Sequence, residues 1–202
     1  MKKLLTLILL TVVCLSASAE FRWGPTAGLN ISNYYWKQPL LESNQKCGFQ
    51  AGLMGELMIP GIGFGIDFAA RYNMQGASVN LGDHKVWNSD GYENMDFRLH
   101  TLEIPVNLRF KWTRMDGLEH YIAPFAYLGP VFQFHLSQTK CAAIEHPAGS
   151  VSLQFGLGAE VLEHIQISAS YSWGVTYCAR TVKLDNMSAR VSSWNVNLAY
   201  LF

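Results

Sequence analysis

The chain has 202 residues with 15 acidic and 15 basic side chains, and half of its residues are hydrophobic. This length suits a single domain. Zero net charge argues against a nucleic-acid partner, because phosphate binding needs a basic surface. Charged residues make up 15% of the chain, whereas about a quarter is usual in soluble domains. Beyond the N-terminus no apolar run approaches the roughly 20 residues of a helical membrane span.

The first residues have the pattern of a secretory signal sequence. Two lysines precede an apolar run over residues 4–15, and Ala17-Ser18-Ala19 provides small residues that signal peptidase accepts. We therefore expect a signal peptide at 1–19 and a mature domain at 20–202. Cys14 raises the alternative of a lipoprotein, but valines precede it where lipid attachment favours small residues.

Eight segments of the mature chain alternate between apolar and polar residues, which is typical of strands with two unlike faces. In the clearest segment, Val151, Leu153 and Phe155 alternate with serine, glutamine and glycine. The fifth segment has a less clear phase, because both of its faces are fairly apolar. The predicted strands are 21–32, 47–59, 62–73, 97–112, 120–135, 150–161, 165–177 and a last segment that ends at Phe202.

The connections between these strands alternate in length. Short ones lie at 60–61, 113–119 and 162–164, and long polar ones lie at 33–46, 74–96, 137–149 and 178–189. Outer-membrane barrels have short periplasmic turns and long external loops. The sequence therefore predicts an all-β fold, an eight-stranded antiparallel up-and-down transmembrane β-barrel in a Gram-negative outer membrane.

The charged residues of the strands fall on the face that is otherwise small and polar. An eight-stranded barrel has an interior only just wide enough for side chains, so we expect this face to be inside and the apolar face to meet lipid. The runner-up interpretation is a secreted lipocalin-like barrel that binds a small apolar ligand and hides Phe49, Leu53 and Leu57 inside. The predicted interior polar network is Glu56, Asp67, Arg71, Glu103, Arg109 and Glu160.

Within this network, Arg71 and Glu103 lie on adjacent predicted strands at similar heights, and we expect them to form an ion pair. Glu56, Asp67 and Arg109 are expected to form a second group nearer the short turns. Buried charges must be paired, so we interpret the network as a structural plug. An ion or proton path is the alternative.

The sequence shows no catalytic, cofactor-binding or metal-binding constellation. The histidines are scattered, and a lipid-modifying barrel enzyme, the third interpretation, would need a histidine, a serine and an acid close together. Arg98 and His100 continue the lipid-facing phase of the fourth strand towards its outer end. We expect these two residues to contact lipid head groups or the phosphates of lipopolysaccharide.

Two further features lie near the predicted external end. Cys141 and Cys178 fall in neighbouring loops, where a disulfide is as plausible as two thiols, and Cys47 leaves an odd cysteine count. The loop 74–96 combines aromatic and polar residues, which suits a binding surface, although the sequence does not identify its ligand. The residues concerned are Asn80, Asp83, His84, Trp87, Asp90 and Tyr92.

A series of short motifs, in order along the mature chain, resembles the PorT-like family of small outer-membrane barrels of Bacteroidetes. The resemblance implies an outer-membrane barrel without known activity in most members, some of which take part in secretion and gliding. The expected partners are outer-membrane lipid and lipopolysaccharide, the barrel-insertion machinery that reads a terminal aromatic such as Phe202, and an envelope protein bound by the external loops. The motifs are Gly28-Leu29-Asn30-Ile31-Ser32, Gly48-Phe49, Gly52-Leu53, Tyr72-Asn73-Met74-Gln75-Gly76, Leu102-Glu103-Ile104-Pro105-Val106, Gly129-Pro130, Phe155-Gly156-Leu157-Gly158-Ala159-Glu160 and Ile165-Gln166-Ile167-Ser168.

Overall fold

The computed structural model describes residues 20–36, 43–59, 62–80, 94–112, 121–139, 144–145, 147–181 and 188–202. Among these residues no helix has the length and apolarity needed to cross a membrane. This part of the chain contains eight long strands and two short ones. The strands are β1 (Glu20–Trp36), β2 (Ser43–Met58), β3 (Phe64–Asn80), β4 (Asn94–Lys111), β5 (Ile122–Gln138), β6 (Ile144–Glu145), β7 (Gly149–Val161), β8 (Ile165–Gly174), β9 (Ala179–Thr181) and β10 (Ser188–Tyr200).

The eight long strands form a closed antiparallel barrel. Each pairs with the next long strand along the chain, and β10 pairs with β1 from Thr26↔Ala199 to Trp36↔Ala189. Beyond the end of β8, β9 continues the pairing along β10, and β6 pairs with β9. The predicted eight-stranded up-and-down barrel is confirmed.

The register gives this barrel a defined stagger. Following paired residues once around the sheet from Phe21 leads back to β1 at Ile31, ten residues further along. Such a stagger requires the strands to tilt relative to the barrel axis. Every side chain on this path is apolar or aromatic and at least partly exposed, so the path forms a continuous lipid-facing ribbon. Its members are Phe21, Leu57, Ile66, Leu108, Leu128, Phe155, Tyr171, Trp194 and Ile31.

The apolar face points outward along every long strand. Phe49 and Leu53 are 45% and 55% exposed, whereas Gln50 and Glu56 on the opposite face of β2 are buried. The lipocalin-like interpretation, which required this stripe to be inside, is therefore wrong. The phase of β5 is now clear, because Phe125 and Tyr127 are buried in the interior while Leu128 is exposed.

Aromatic side chains gather at both ends of the lipid-facing surface. At the short-turn end the rings of Trp23 and Phe202 lie 5.8 Å apart, and Trp112 is exposed beside Phe110. Towards the other end Trp194 packs on Tyr171 at 4.9 Å. Aromatic rings at these two levels are the girdles that mark the interfaces of outer-membrane barrels, and we call the second level the upper girdle.

The strands on the long-loop side extend further than predicted. β3 continues to Asn80 and β4 begins at Asn94, so much of the predicted loop 74–96 is paired sheet. The apolar–polar alternation did not predict these strand ends, because the outer face beyond the membrane does not contact lipid and need not be apolar. Pairing is maintained instead by an apolar interior, in which Val79 and Phe97 are fully buried.

Several predicted features lie outside the described residues. These include the signal sequence at 1–19 and most of the candidate binding residues of the second loop. Asn80 belongs to β3. The loop residues outside the description are Asp83, His84, Trp87, Asp90 and Tyr92.

The turn between β7 and β8 carries local strain. Leu162 and Glu163 have φ angles of 52° and 63°, and left-handed backbone costs a side-chain-bearing residue roughly 1–2 kcal/mol. The turn has three residues, 162–164, and asparagine and glycine are the residues that adopt left-handed backbone at least cost. We predict that Leu162→Asn combined with Glu163→Gly raises the free energy of unfolding by about 1–2 kcal/mol, measured by urea unfolding in micelles.

Gly63 provides the matched control for this turn variant. Its φ angle of 79° is one that glycine adopts without strain, so Gly63→Ala is expected to lower the unfolding free energy. Equal stability of the turn variant and the wild type would contradict the strain assigned to Leu162 and Glu163.

Candidate functional site

A charged group fills the barrel interior near the short turns, and we call it the lower cluster. It comprises three carboxylates and three cations, so its formal charges cancel. Gln166 on β8 joins it and donates to two of the carboxylates, at 2.6 Å to Glu56 and 2.7 Å to Glu160. The charged members are Arg22, Glu56, Asp67, Arg109, Lys111 and Glu160.

Arg109 is the centre of the lower cluster. Its Nη1 lies 2.5 Å from Glu56 Oε2, and its Nε donates to Asp67 Oδ2 at 2.9 Å. The guanidinium also covers the ring of Phe125, 4.2 Å from the centroid. Arg109 is only 2% exposed, so both its charge and its donors are satisfied inside the protein, as burial requires.

Arg22 connects strands on opposite sides of the interior. Its Nη2 lies 2.7 Å from Glu56 Oε1 on β2 and 2.8 Å from Glu160 Oε2 on β7. Lys111 forms a further ion pair with Glu160. The predicted network omitted Arg22 and Lys111, although the two-residue alternation puts both on the polar face of their strands.

A second charged group, the middle cluster, lies further from the short turns. Arg71 and Glu103 are direct partners in the β3–β4 register, and their nearest charged atoms are 3.7 Å apart. Glu103 Oε1 also accepts hydrogen bonds from Asn73 at 2.7 Å and Gln133 at 2.8 Å. All six residues of the predicted network therefore lie inside the barrel, divided between the lower and middle clusters.

The space between the two clusters is small. A cavity of about 30 Å³ is lined by Arg71, Asn107, Arg109 and Tyr127, among others. Within the described part of the chain, Arg71 Nε and Asn107 Oδ1 have no hydrogen-bond partner. A cavity of this volume has room for about two water molecules, far from the continuous water column of a channel.

An apolar cluster closes the interior at the end opposite the short turns. It contains Tyr34, Phe97 and Val191 together with Cys178, which is 1% exposed. The Cys178 thiol donates to the carbonyl oxygen of Ala189 at 3.4 Å, and burial raises the pKa of this thiol to about 12. Cys141 lies outside the described residues, so its disulfide with Cys178 stays a prediction. Cys47 is exposed.

The predicted head-group residues lie on the outer surface of β4. Arg98 is exposed, and His100, two residues along the same face, is partly exposed. The His100 ring is held by Tyr72, whose hydroxyl lies 2.5 Å from Nδ1. The arrangement presents a guanidinium and an imidazole side by side beyond the upper girdle.

The side chain of His135 lies on the inner face of β5, beside a serine. Its Nε2 is 3.0 Å from Ser150 Oγ, and its Nδ1 is 2.6 Å from the carbonyl oxygen of Pro147. Ser150 is 7% exposed, and its hydroxyl donates to Gln133 Oε1 at 2.8 Å. Ser150 therefore contacts both His135 and Gln133, and the chain of hydrogen bonds continues from Gln133 to Glu103. Within the described residues no group of three His, Cys, Asp or Glu side chains could hold a metal ion.

The family model for the outer membrane protein beta-barrel domain matches residues 5–202. The chain belongs to this family. It is a small outer-membrane β-barrel with a filled interior, and its location is the outer membrane. No curated protein matches the chain.

Solved structures of other outer-membrane barrels are similar to this chain at low sequence identity. Ail, the attachment invasion locus protein of Yersinia pestis, in complex with the heparin analogue sucrose octasulfate, is 16% identical with a TM-score of 0.45, covering 91% of this chain and 99% of that one. Neisserial surface protein A is 14% identical with a TM-score of 0.45, covering 89% and 97%. The N-terminal barrel domain of Pseudomonas aeruginosa OprF is 11% identical with a TM-score of 0.38, covering 88% and 97%.

The lower cluster gives a test of interior packing. We predict that Arg109→Gln lowers the free energy of unfolding by about 3–5 kcal/mol, because Glu56 and Asp67 lose their buried cation. Arg71→Ala is expected to cost less, since Arg71 makes longer contacts, at 3.7 Å to Glu103 and 3.5 Å to Gln154. Urea unfolding in micelles, followed by tryptophan fluorescence, measures both.

Exposed Arg98→Gln is the matched control and should leave the unfolding midpoint unchanged. Combining Arg109→Gln with Glu56→Gln should restore part of the lost stability, because the double variant buries one unpaired carboxylate fewer. Stability equal to the wild type in both Arg109→Gln and Arg71→Ala would rule out the proposed importance of the interior ion pairs.

Proposed function

We propose that this barrel acts through its external end, as a structural or adhesive protein or as an accessory subunit of an envelope complex. The observation that carries the proposal is the filled interior. Two neutral charge clusters and an apolar cap occupy the barrel from the short turns to the long-loop end. A barrel with no room for a water column is unsuited to act as a pore. We therefore assign its function to the external surface.

The extension of the strands beyond the upper girdle supports this proposal. Paired strands continue beyond the upper girdle, and in this extended part Lys46 Nζ and Asp96 Oδ2 form an ion pair at 2.5 Å. A rigid rim is a suitable base for binding loops, because loops positioned on a rigid scaffold commonly carry recognition.

The motifs along the chain favour the PorT-like branch of outer-membrane barrels, whose members include parts of secretion and gliding assemblies. Export by the signal sequence at 1–19, and insertion by the barrel-insertion machinery, belong to the same proposal. An envelope protein bound by the external loops is the expected partner, and secretion, adhesion and structural support are alternative roles for that contact.

Arg98 and His100 are proposed to contact the phosphates of lipopolysaccharide or the head groups of lipid. Their support is position and chemistry: Arg98 is exposed, and the two side chains share one outer face beyond the upper girdle. A guanidinium binds phosphate oxygens through paired hydrogen bonds.

Photo-crosslinking in whole cells tests the external role. We predict that a photoreactive side chain in place of Asp96, which is exposed at the long-loop end, gives a discrete adduct with one envelope protein. The same side chain in place of Tyr121, exposed at the short-turn end, is the matched control. An adduct from position 121 and none from position 96 would place the interaction on the periplasmic side and contradict the proposal.

We further propose that the barrel has no lipid-modifying activity. The Ser150 hydroxyl lies 3.0 Å from His135 Nε2 and donates to Gln133. A hydroxyl whose proton is donated to an amide suits a structural link better than a nucleophile activated by histidine. We predict that the lipid A mass profile of producing cells equals that of cells with an empty vector. A new lipid A species that disappears with His135→Ala or His100→Ala would overturn this expectation.

A further inference from the structure

The outer surface of β1, β8 and β10 contains a groove of about 470 Å³, within the size range of small-ligand sites. Eight residues line this aromatic groove; five are aromatic, one is cationic and none is acidic. Ser188 and Ser192 are its two small residues, and both are largely buried. Tyr35 and Trp173 stand on either side of them and are 54% and 58% exposed.

The strand register explains why a depression forms here. Ser192 on β10 lies between Asn33 on β1 and Trp173 on β8, and Arg190 lies opposite Tyr35. The small side chain of Ser192 is thus next to Trp173 on one side, and Tyr35 is two residues beyond its partner on the other side. The sheet sets most of the depression, and Tyr177, in the connection that follows β8, completes its lining.

The aromatic groove crosses the boundary between lipid and water. Its lower end reaches Tyr171, which packs against Trp194 in the upper girdle. Its upper end reaches Tyr35 and Arg190, four residues beyond the Ile31↔Trp194 pair on their strands. A ligand that fills the whole groove must therefore lie partly in the membrane interface, as the head of an outer-leaflet lipid does.

The chemistry of the lining favours an anionic sugar. The Arg190 guanidinium carbon lies 5.1 Å from the centroid of the Tyr177 ring, which holds the cation at the upper end of the groove. A guanidinium binds phosphate through charge-assisted hydrogen bonds, and serine hydroxyls can donate to or accept from sugar hydroxyls. The exposed rings of Tyr35 and Trp173 offer flat apolar faces with a polar tip at the same level.

We propose that the aromatic groove binds the phosphorylated sugar head of an outer-leaflet glycolipid, with Arg190 on the phosphate and Trp173 against the sugar. This inference rests on the external role proposed above and names a site for it that is separate from Arg98 and His100. The groove lies on β1, β8 and β10, whereas Arg98 and His100 lie on β4, so the two sites can be tested independently.

Native mass spectrometry of the full chain in phosphatidylcholine nanodiscs tests the proposal. The probes are lipid A with two phosphates, the same lipid without phosphate, and soluble glucosamine 1-phosphate. The wild type should retain one diphosphoryl lipid A. Arg190→Gln and Trp173→Leu should each weaken its retention about tenfold, the size expected from one charge-assisted hydrogen bond or one lost aromatic contact. Arg190→Gln should also abolish the preference for the phosphorylated lipid.

Trp112→Leu removes an exposed aromatic residue at the opposite end of the barrel and is the matched control; it should retain lipid A as the wild type does. Arg98→Gln changes the separate head-group site on β4 and is measured beside the groove variants, so that the contributions of the two sites are distinguished. All variants should keep the heat-dependent gel shift of a folded barrel, since the substituted side chains lie on the outer surface.

Three outcomes would overturn the proposal. If only Arg98→Gln lost lipid A, the lipid would be bound at the β4 site, and the groove would be excluded as its binding site. Equal retention by all variants, or no retention by the wild type, would exclude the groove while leaving the crosslinking test of the external role unaffected. Binding of soluble glucosamine 1-phosphate as tightly as lipid A would contradict a membrane source for the ligand.

Discussion

The structure depends above all on the absence of hydrogen-bond partners in the lipid interior. Every backbone amide and carbonyl at membrane depth must find a partner within the protein, so a sheet there must close on itself. The pairing of β10 with β1 provides this closure. Once the sheet is closed, one side of each strand contacts hydrocarbon, and the other side lines an interior only just wide enough for side chains.

The interior then has to neutralise the charges that it contains. The lower cluster does so with equal numbers of carboxylates and cations, and Arg22 and Arg109 each bridge two acidic residues. Breaking such a group leaves a buried charge without compensation, which costs far more than the net value of the ion pair. The same side chains that stabilise the barrel occupy the volume a pore would need, and this links the energetics of the interior to an external function.

The two ends of the barrel differ in how they are filled. Near the short turns the interior is charged, whereas the long-loop end is closed by an apolar cluster around Tyr34, Phe97 and Cys178. That cluster maintains strand pairing beyond the membrane and gives the outer surface a rigid upper part. The aromatic groove lies on this part, where small residues of β10 lie near aromatic residues of β1 and β8.

The sequence by itself determined the fold class, the strand order, the inward position of all six charged network residues and the topology of the connections. These features follow from the alternation within each strand and from the residues between strands, both of which are local properties of the sequence. The tertiary structure alone decided which interior side chains meet. The Arg22–Glu160 pair joins residues 138 positions apart across the barrel, and the ten-residue stagger that sets such contacts is a property of the closed sheet. It also decided where the strands end, since pairing beyond the membrane relies on buried contacts between distant strands that no single segment encodes.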